Sequence, residues 1–404
     1  MFDILDIAAR WSFWQGKKPR GVERKAALPE RLVDSLALVV QGVRRSGKST
    51  LMTQMMQHYG LDPAHCVFLN FEDPRLGLEL DHAVLDALTA AFMAAQPGVA
   101  TLYFFLDEIQ HVRGWQPWLR TQLERPCGHH FILSGSNAQL LSGEFASSLT
   151  GRHQSVELFP FSFEEALGLV PGLSIEAYLH TGGFPEPLKL TPGDGDRLRM
   201  QYFADIVERD LRERVGARSS TAVKRVVQMA FESAGAELSM RRIAGATGMA
   251  VETAASYLEA AQAAYLLFAC PFFAYSERKR ATRHKKFYPI DPGLRRIAVT
   301  RTGEDRGKAL ECAVYLALRQ AGLAPSYWRG DGEVDFVVDT GEQIVPLQVS
   351  WAGPEARHER ALEAFYANFP HAAEAVFVSL AEYERGEFLA QIRAQFGSSP
   401  GSSR

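Results

Sequence analysis

Short, largely apolar runs punctuate the first 160 residues: Leu36–Val40, His65–Phe71, Thr101–Leu106, Phe131–Leu133 and Ser155–Phe159. Runs of this length without strict alternation are the pattern of strands covered on both faces, as in a parallel sheet. Helical stretches separate them, which predicts a β-α-β-α order with right-handed crossovers. Pro171-Gly172 marks a change of composition. Beyond it, Tyr202, Ile206, Val207 and Leu211 recur at helical spacing and predict a helix. Ser239 is a natural N-cap, Gly248 suits a tight turn, and a second helix runs to Leu258, which is helix-turn-helix spacing. Leu266–Tyr275 and Phe287–Ile290 read as the strands of a β-hairpin wing. The last part reads as a helix over 306–318, then strands at 326–328, 333–338 and 344–350.

Chemistry enters at the first strand. Leu36–Val40 leads into Gly42-Val-Arg-Arg-Ser-Gly-Lys-Ser-Thr50, which fits G-x-x-x-x-G-K-[ST] at every fixed position. Glycines there let the backbone turn its N–H groups onto phosphate oxygens, and the following helix aims its positive end at the same anion. The candidate nucleotide-binding residues are Gly42, Arg44, Arg45, Ser46, Gly47, Lys48, Ser49 and Thr50. Lys48 reaches the β- and γ-phosphates, and Ser49 holds Mg²⁺.

Hydrolysis needs acids at the carboxyl end of a neighbouring strand, and Thr101–Leu106 ends in Asp107-Glu108. Asp107 is the second metal candidate, and Glu108 the general base for the attacking water. Asn137, or Ser136 beside it, follows the 131–133 strand and is placed to touch the γ-phosphate or the water. Arg152 precedes the 155–159 strand; its guanidinium can stabilise the transferred phosphoryl group within the chain or across an interface between copies, so a homo-oligomer is one reading.

The phosphate loop, Leu106-Asp-Glu-Ile-Gln110 with Gly114-Trp115, Ser134-Gly-Ser-Asn-Ala138, Leu149-Thr-Gly-Arg152 and Pro160-Phe-Ser-Phe163 together resemble one prokaryotic family: AAA-type ATPases carrying a C-terminal domain of unknown function. The resemblance spans residues 30 to 350 or so. It implies Walker A roles for Lys48 and Ser49 and Walker B roles for Asp107 and Glu108. The loop Tyr178–Pro185 also resembles that family, with no chemistry readable from its residue types.

Between the two wing strands, six of the eleven residues from Ser276 to Lys286 are Lys or Arg. Arg278, Lys279, Arg280, Arg283, Lys285 and Lys286 are thus candidate contacts to a DNA backbone. The presumed recognition helix, 251–258, is poor in base-reading residues, so DNA contact here is non-specific, and a protein partner is the competing reading. Farther on, the order helix with Glu311, strand with Asp335, strand with Gln348 and Ser350 resembles the PD-(D/E)xK nuclease core. Gln348 and Ser350 stand where an acid and a lysine belong. The resemblance implies a degenerate site kept for binding or assembly.

The 404 residues are 47% hydrophobic and 23% charged with a net charge of -3, which excludes a uniformly nucleic-acid-coating protein but not a local basic surface. Cys66, Cys127, Cys270 and Cys312 show no metal-ligand spacing and read as reduced core residues. No apolar run reaches membrane-spanning length and the first residues are not a signal peptide, so a cytoplasmic location without membrane contact is expected. The expected architecture is α/β throughout: a P-loop AAA-type parallel-sheet domain over 1–170, a helical lid and winged helix over 171–300, a degenerate nuclease-like domain over 301–396 and a disordered tail over 397–404. The expected function is Mg²⁺-dependent ATP hydrolysis that switches a DNA-associated complex. The alternative is a nucleotide-gated scaffold or signalling switch that grips a protein.

Overall fold

The computed structural model describes residues 3–12, 21–77, 79–124, 128–135, 151–300 and 305–395. Asn137, Cys127 and the tail 397–404 lie outside them. The chain forms two units, one of Met1–Phe159 with Ala263–Tyr265, the other of Pro160–Gln262 with Leu266–Arg404. Among the described residues, no helix is long and apolar enough to cross a membrane.

The first unit is built on strands β1 (Ala37–Gln41), β2 (Cys66–Asn70), β3 (Leu80–Asp81), β4 (Tyr103–Asp107), β5 (Val112–Arg113), β6 (His130–Gly135) and β7 (His153–Glu157). Five of them form one parallel sheet in the order β2-β4-β6-β1-β7. Side chains alternate across it, so Val39, Leu69, Phe104 and Leu133 pack under the helices Ile4–Trp11, Ala83–Ala95 and Trp115–Glu124. Val40, Phe68, Phe105 and Ile132 face the helix Lys48–His58 instead. Both faces are buried, which is why these strands read as unbroken apolar runs.

The second unit begins with the helices Phe163–Leu169 and Ile175–Thr181, the first opened by a Ser162–Glu165 capping box. The helix Pro192–Asp205 continues over Ile206–Arg212 with wider, π-type turns. The loop after Thr181 finds its reason here. The Gly183 N–H donates to Asp291 Oδ2 at 2.6 Å, and the Gly183 carbonyl accepts from Phe161 N–H at 2.7 Å. A Cβ on Gly183 would lie 2.0 Å from the Phe161 carbonyl oxygen. Asp291 also caps the helix Pro292–Ala298, accepting from Leu294 N–H at 2.7 Å. The Gly-Gly pair is thus a packing device.

Next come the helix Ser220–Glu232, strand β8 (Glu237–Leu238), the helices Met240–Thr247 and Val251–Ala263, and strands β9 (Leu267–Cys270) and β10 (Lys285–Pro289). The small sheet has the order β8-β10-β9 and is antiparallel. The basic stretch between β9 and β10 is not a plain hairpin loop. It holds the helix Glu277–Thr282, capped by Ser276, and its last two lysines extend β10. The chain closes on the helix Arg306–Gln320, strands β11 (Pro325–Gly330), β12 (Gly332–Asp339), β13 (Ile344–Val349) and β14 (Val376–Val378), and the helix Ala356–Asn368 between β13 and β14. The first three strands pair antiparallel, and β14 runs parallel to β13.

Candidate functional site

Strand β1 ends against a loop that only glycine can make. A Cβ on Gly42 would sit 2.1 Å from the Leu158 carbonyl oxygen. Gly47, at φ 98°, turns the backbone into the helix Lys48–His58, whose amino end has no side-chain cap. Its first N–H groups are therefore available to an anion. Arg24 holds the loop from behind, donating from Nη1 to the Ser46 carbonyl at 2.6 Å and from Nη2 to the Phe159 carbonyl at 2.7 Å. Nothing in the sequence marks this arginine, because its partners are backbone carbonyls far away in the chain.

Lys48 is buried, its Nζ donating to the Gly42 and Val43 carbonyls at 3.2 and 3.3 Å and standing 3.8 Å from Glu108 Oε1. Ser49 Oγ donates to Asp107 Oδ2 at 2.7 Å. Asp107 is fully buried and also accepts from Asn70 Nδ2 at 2.8 Å and, at Oδ1, from the Ser134 hydroxyl. Burial and the neighbouring Glu108 charge push its carboxyl above the usual range, while the Ser134 and Ser49 hydrogen bonds and Lys48 pull it down. Glu108 sits one residue past the strand end at φ 55°, a left-handed conformation that is rare outside glycine. That turn carries its side chain clear of the Asp107 network, where Gln110 Nε2 donates to Oε2.

A second polar layer lies beside Glu108. Glu72 accepts from Arg44 Nη1 at 3.1 Å and stands 3.4 Å from His111 Nε2. The His111 hydrogen bond, then Arg44, lowers the Glu72 carboxyl to about 2 against the opposing effect of burial. Glu72, Glu108 and His111 each bring a ligand-type atom within 4.8 Å of the others. The Arg44 side chain is thus engaged by Glu72, Arg45 is exposed at φ 71°, and Thr50 lies on the first turn of the helix.

The loop fits a nucleoside triphosphate on its own evidence. Ser46 Oγ is buried with no hydrogen-bond partner among the described residues, and Lys48 makes long contacts to two loop carbonyls and stands 3.8 Å from Glu108. Ser49 and Asp107 converge as oxygen donors, the set a Mg²⁺ ion takes.

Other expected residues fall elsewhere. Arg152 ends beside the start of β1, its carbonyl accepting from Ala37 N–H at 2.9 Å. In a parallel sheet that is the amino end, opposite the phosphate loop, and the guanidinium pairs with Glu124 at 2.9 Å. It cannot act at the site of its own chain, which corrects the reading that it acts in cis. The Arg152→Ala variant should bind ATP within about twofold of the unaltered chain by calorimetry. A tenfold loss would return the guanidinium to its own site.

Arg278, Lys279, Arg280, Arg283 and Lys285 are exposed in the second unit. Arg280 pairs with Glu277, and Arg283 lies 4.8 Å from the Phe272 ring centroid. Lys286 does not belong with them. It is fully buried, its Nζ 2.5 Å from Glu333 Oε1 and 3.8 Å from Glu311 Oε1. Strand alternation turns it inward while Lys285 points out. Burial opposes its charge, but Glu311, Glu333 and Asp335 together outweigh burial and raise its affinity for the proton.

Glu311, Asp335, Gln348 and Ser350 do line one cavity. Tyr288 donates to Glu311 Oε1 at 2.6 Å, and Val349 N–H donates to Asp335 Oδ2 at 2.8 Å. Burial pushes both carboxyls up. Gln348 Nε2 donates to the Glu333 carbonyl at 2.9 Å, and Ser350 Oγ donates to Glu355 at 3.3 Å.

Sequence comparison agrees with this geometry. Residues 34–167 match the AAA domain family, residues 173–305 a domain of unknown function (DUF8612) and residues 306–393 another (DUF4143). An uncharacterized protein of Haemophilus influenzae is 30% identical over 345 residues, spanning 80% of this chain and 84% of that protein. The chain belongs to this family of AAA-domain proteins. An uncharacterized family protein of Methanocaldococcus jannaschii is 28% identical over 394 residues, 90% of this chain and 83% of that one. The crystal structure of Cdc6p from Pyrobaculum aerophilum aligns at 11% identity with a TM-score of 0.27, over 58% of this chain and 80% of that one, a likeness too low to inform. The first unit of this AAA-domain protein is thus a P-loop domain of the AAA type. The matches beyond it attach neither a winged helix nor a nuclease to the rest.

Asn70 and Ser134, which donate to Asp107, are residues of this site to which the sequence analysis assigned no role. Each sits at the carboxyl end of a strand flanking β4, and that position was the available signal.

Proposed function

We propose that the chain is a Mg²⁺-dependent ATPase that uses hydrolysis to switch a DNA-associated complex. The observation that carries the reading is the convergence of Lys48, Ser49, Asp107 and Glu108 at the carboxyl ends of β1 and β4. Loop amides and Lys48 bind the β- and γ-phosphates. Ser49 and Asp107 would hold Mg²⁺, which supplies positive charge against the triphosphate oxygens. Asp107 is sealed off by three side-chain donors. Glu108 keeps some solvent access, with 11% side-chain exposure, and takes the proton from the attacking water. Lys48, Asn70 and Ser134 keep these two acids in place. Because Arg152 lies at the far end of its own sheet, any contribution it makes to hydrolysis comes from a second copy.

The DNA part of the reading rests on the second unit. A helix, a short strand, two helices joined at Gly248 and a three-stranded antiparallel sheet follow the order of a winged helix. Four exposed cations, Arg278, Lys279, Arg280 and Arg283, stand between β9 and β10, and a fifth, Lys285, opens β10. Changing Arg278, Lys279, Arg280 and Arg283 to Ala should weaken duplex binding at least tenfold at low salt. Each lost phosphate contact should lower the slope of log affinity against log salt by about 0.9. An unchanged slope would remove this segment from DNA contact.

A second reading has its own support. The helix Val251–Ala263 carries no Arg, Lys or Asn and a single Gln, at Gln262, so it has little with which to read bases. A protein-gripping scaffold or signalling switch fits that surface. Phosphate release measured with and without duplex DNA separates the two: stimulation supports the first reading, indifference the second. The carboxy-terminal sheet is proposed not to cleave nucleic acid, since Gln348 offers a neutral amide where such a core has an acid.

A further inference from the structure

One aromatic ring and one run of cations lie together on the surface of the second unit. Tyr275 is 74% exposed, more than any other large hydrophobic side chain among the described residues. Its position is fixed from beneath. The Phe273 N–H donates to the Tyr327 carbonyl at 2.7 Å, and the Tyr327 N–H donates to the Pro271 carbonyl at 2.9 Å, so the backbone just before Tyr275 is tied to β11. The Tyr275 ring meets Phe273 and Phe369 in T-shaped contacts, with centroids 5.7 and 5.6 Å away. Phe273 is buried and packs in turn on Phe369 at 5.2 Å. The ring is thus braced, while most of its surface stays in water.

The cations begin three residues later. Every residue from Tyr275 to Lys285 is exposed. Five of them are Arg or Lys, and one, Glu277, is acidic, which leaves a surplus of four positive charges. Glu277 pairs with Arg280. Arg278, Lys279, Arg283 and Lys285 form no ion pair among the described residues, and Arg283 lies against the Phe272 ring. Glu237, on the neighbouring strand β8, has its own cation in Arg329 at 4.0 Å.

Phosphates answer such a run, and single and double strands both carry them. The ring discriminates between the two. In a duplex each base face is covered by the next base, so a braced side chain on a protein surface has no face to meet. An unpaired base offers one, and stacking on an aromatic ring tolerates any sequence. The helix Glu277–Thr282 is about 9 Å long, so ring and cations lie within the span of a few nucleotides. We infer that this surface binds single-stranded DNA, with Tyr275 stacking on one base and Arg278, Lys279, Arg283 and Lys285 meeting the adjoining phosphates. Single-strand contact rests on the DNA reading proposed above and narrows it. It asks for no base readers in the helix Val251–Ala263, which has few.

Fluorescence anisotropy of the full chain with labelled oligo(dT), and with a blunt duplex of equal length at the same low salt, tests this. Tyr275→Leu keeps apolar bulk against Phe273 and Phe369 and removes the aromatic face. It should weaken oligo(dT) binding about tenfold, within the range for one lost stacked base, and leave duplex binding within about twofold. Tyr275→Phe should bind oligo(dT) like the unaltered chain. Duplex binding without oligo(dT) binding, or equal oligo(dT) affinity in the Leu and Phe variants, would overturn single-strand contact and leave the DNA reading standing. Binding of neither nucleic acid would end both, and capture of labelled polyglutamate in their place would give the surface to an acidic protein.

Discussion

Glu108→Gln should leave a protein that holds ATP and does not turn it over. Phosphate release should fall by roughly 100-fold or more, the range for loss of a general base. ATP affinity by calorimetry should stay within about threefold. The substitution keeps the shape of the side chain, and the Glu108 N–H still donates to Ser134 Oγ at 3.1 Å, so the left-handed turn after β4 survives. Lys48→Ala should behave in the opposite way. Its ammonium is held 3.2 and 3.3 Å from carbonyls of the loop that would cradle the phosphates, so its loss removes binding first. At least a 30-fold weakening of affinity is expected, with turnover falling because ATP no longer stays. Identical effects of the two variants on affinity would show that Glu108 binds rather than reacts, and the assignment of roles would fail.

How much of this was legible depends on the range of the interactions. The phosphate loop was readable because its constraints are local: two glycines, a lysine and a serine must be consecutive to wrap one anion. Asp107 and Glu108 were readable because a strand end fixes where they stand. Arg24 was not, since its partners are the carbonyls of Ser46 and Phe159, and carbonyls leave no mark in a sequence. Arg152 had the right residue type next to a motif, but the direction of β7 puts it at the wrong end of the sheet for its own chain. Lys286 sat at the end of a basic run, and only the onset of β10 one residue earlier decides that it turns inward to Glu333 and Glu311. The 276–286 run looked like a loop because charge patterning is blind to the cap at Ser276 that starts a helix within it. Glu311, Asp335 and Gln348 were picked out by their resemblance to a nuclease core, yet Lys286, the ammonium that stands against Glu333 and Glu311, comes from a different sheet.

The largest stability effect expected is in the second unit, at Gly183→Ala. The added methyl would meet the Phe161 carbonyl oxygen at 2.0 Å, with the Phe161 carbonyl carbon and nitrogen each at 2.9 Å. These are backbone atoms, so no side chain can swing away. The Gly183 carbonyl accepts from the Phe161 N–H, and Tyr178 Oη donates to the Phe161 carbonyl at 2.8 Å, which fixes the strained pair from both sides. Relief requires the loop to move, and movement breaks the 2.6 Å hydrogen bond from Gly183 N–H to Asp291. Asp291 is 1% exposed, so its carboxylate would lose a donor where water is scarce. Overpacking costs about 1–3 kcal/mol, and an undersatisfied buried charge about as much again. The sum is roughly 2–6 kcal/mol, which for a unit of this size lowers the melting temperature by about 10 °C. Gly193→Ala is the control, because no atom lies within 4 Å of the Cβ it would add and its helix favours alanine. Differential scanning calorimetry should show Gly193→Ala melting with the unaltered chain and Gly183→Ala well below it. Equal melting of the two variants would mean that the loop yields freely, and the Asp291 anchor would carry none of the stability ascribed to it.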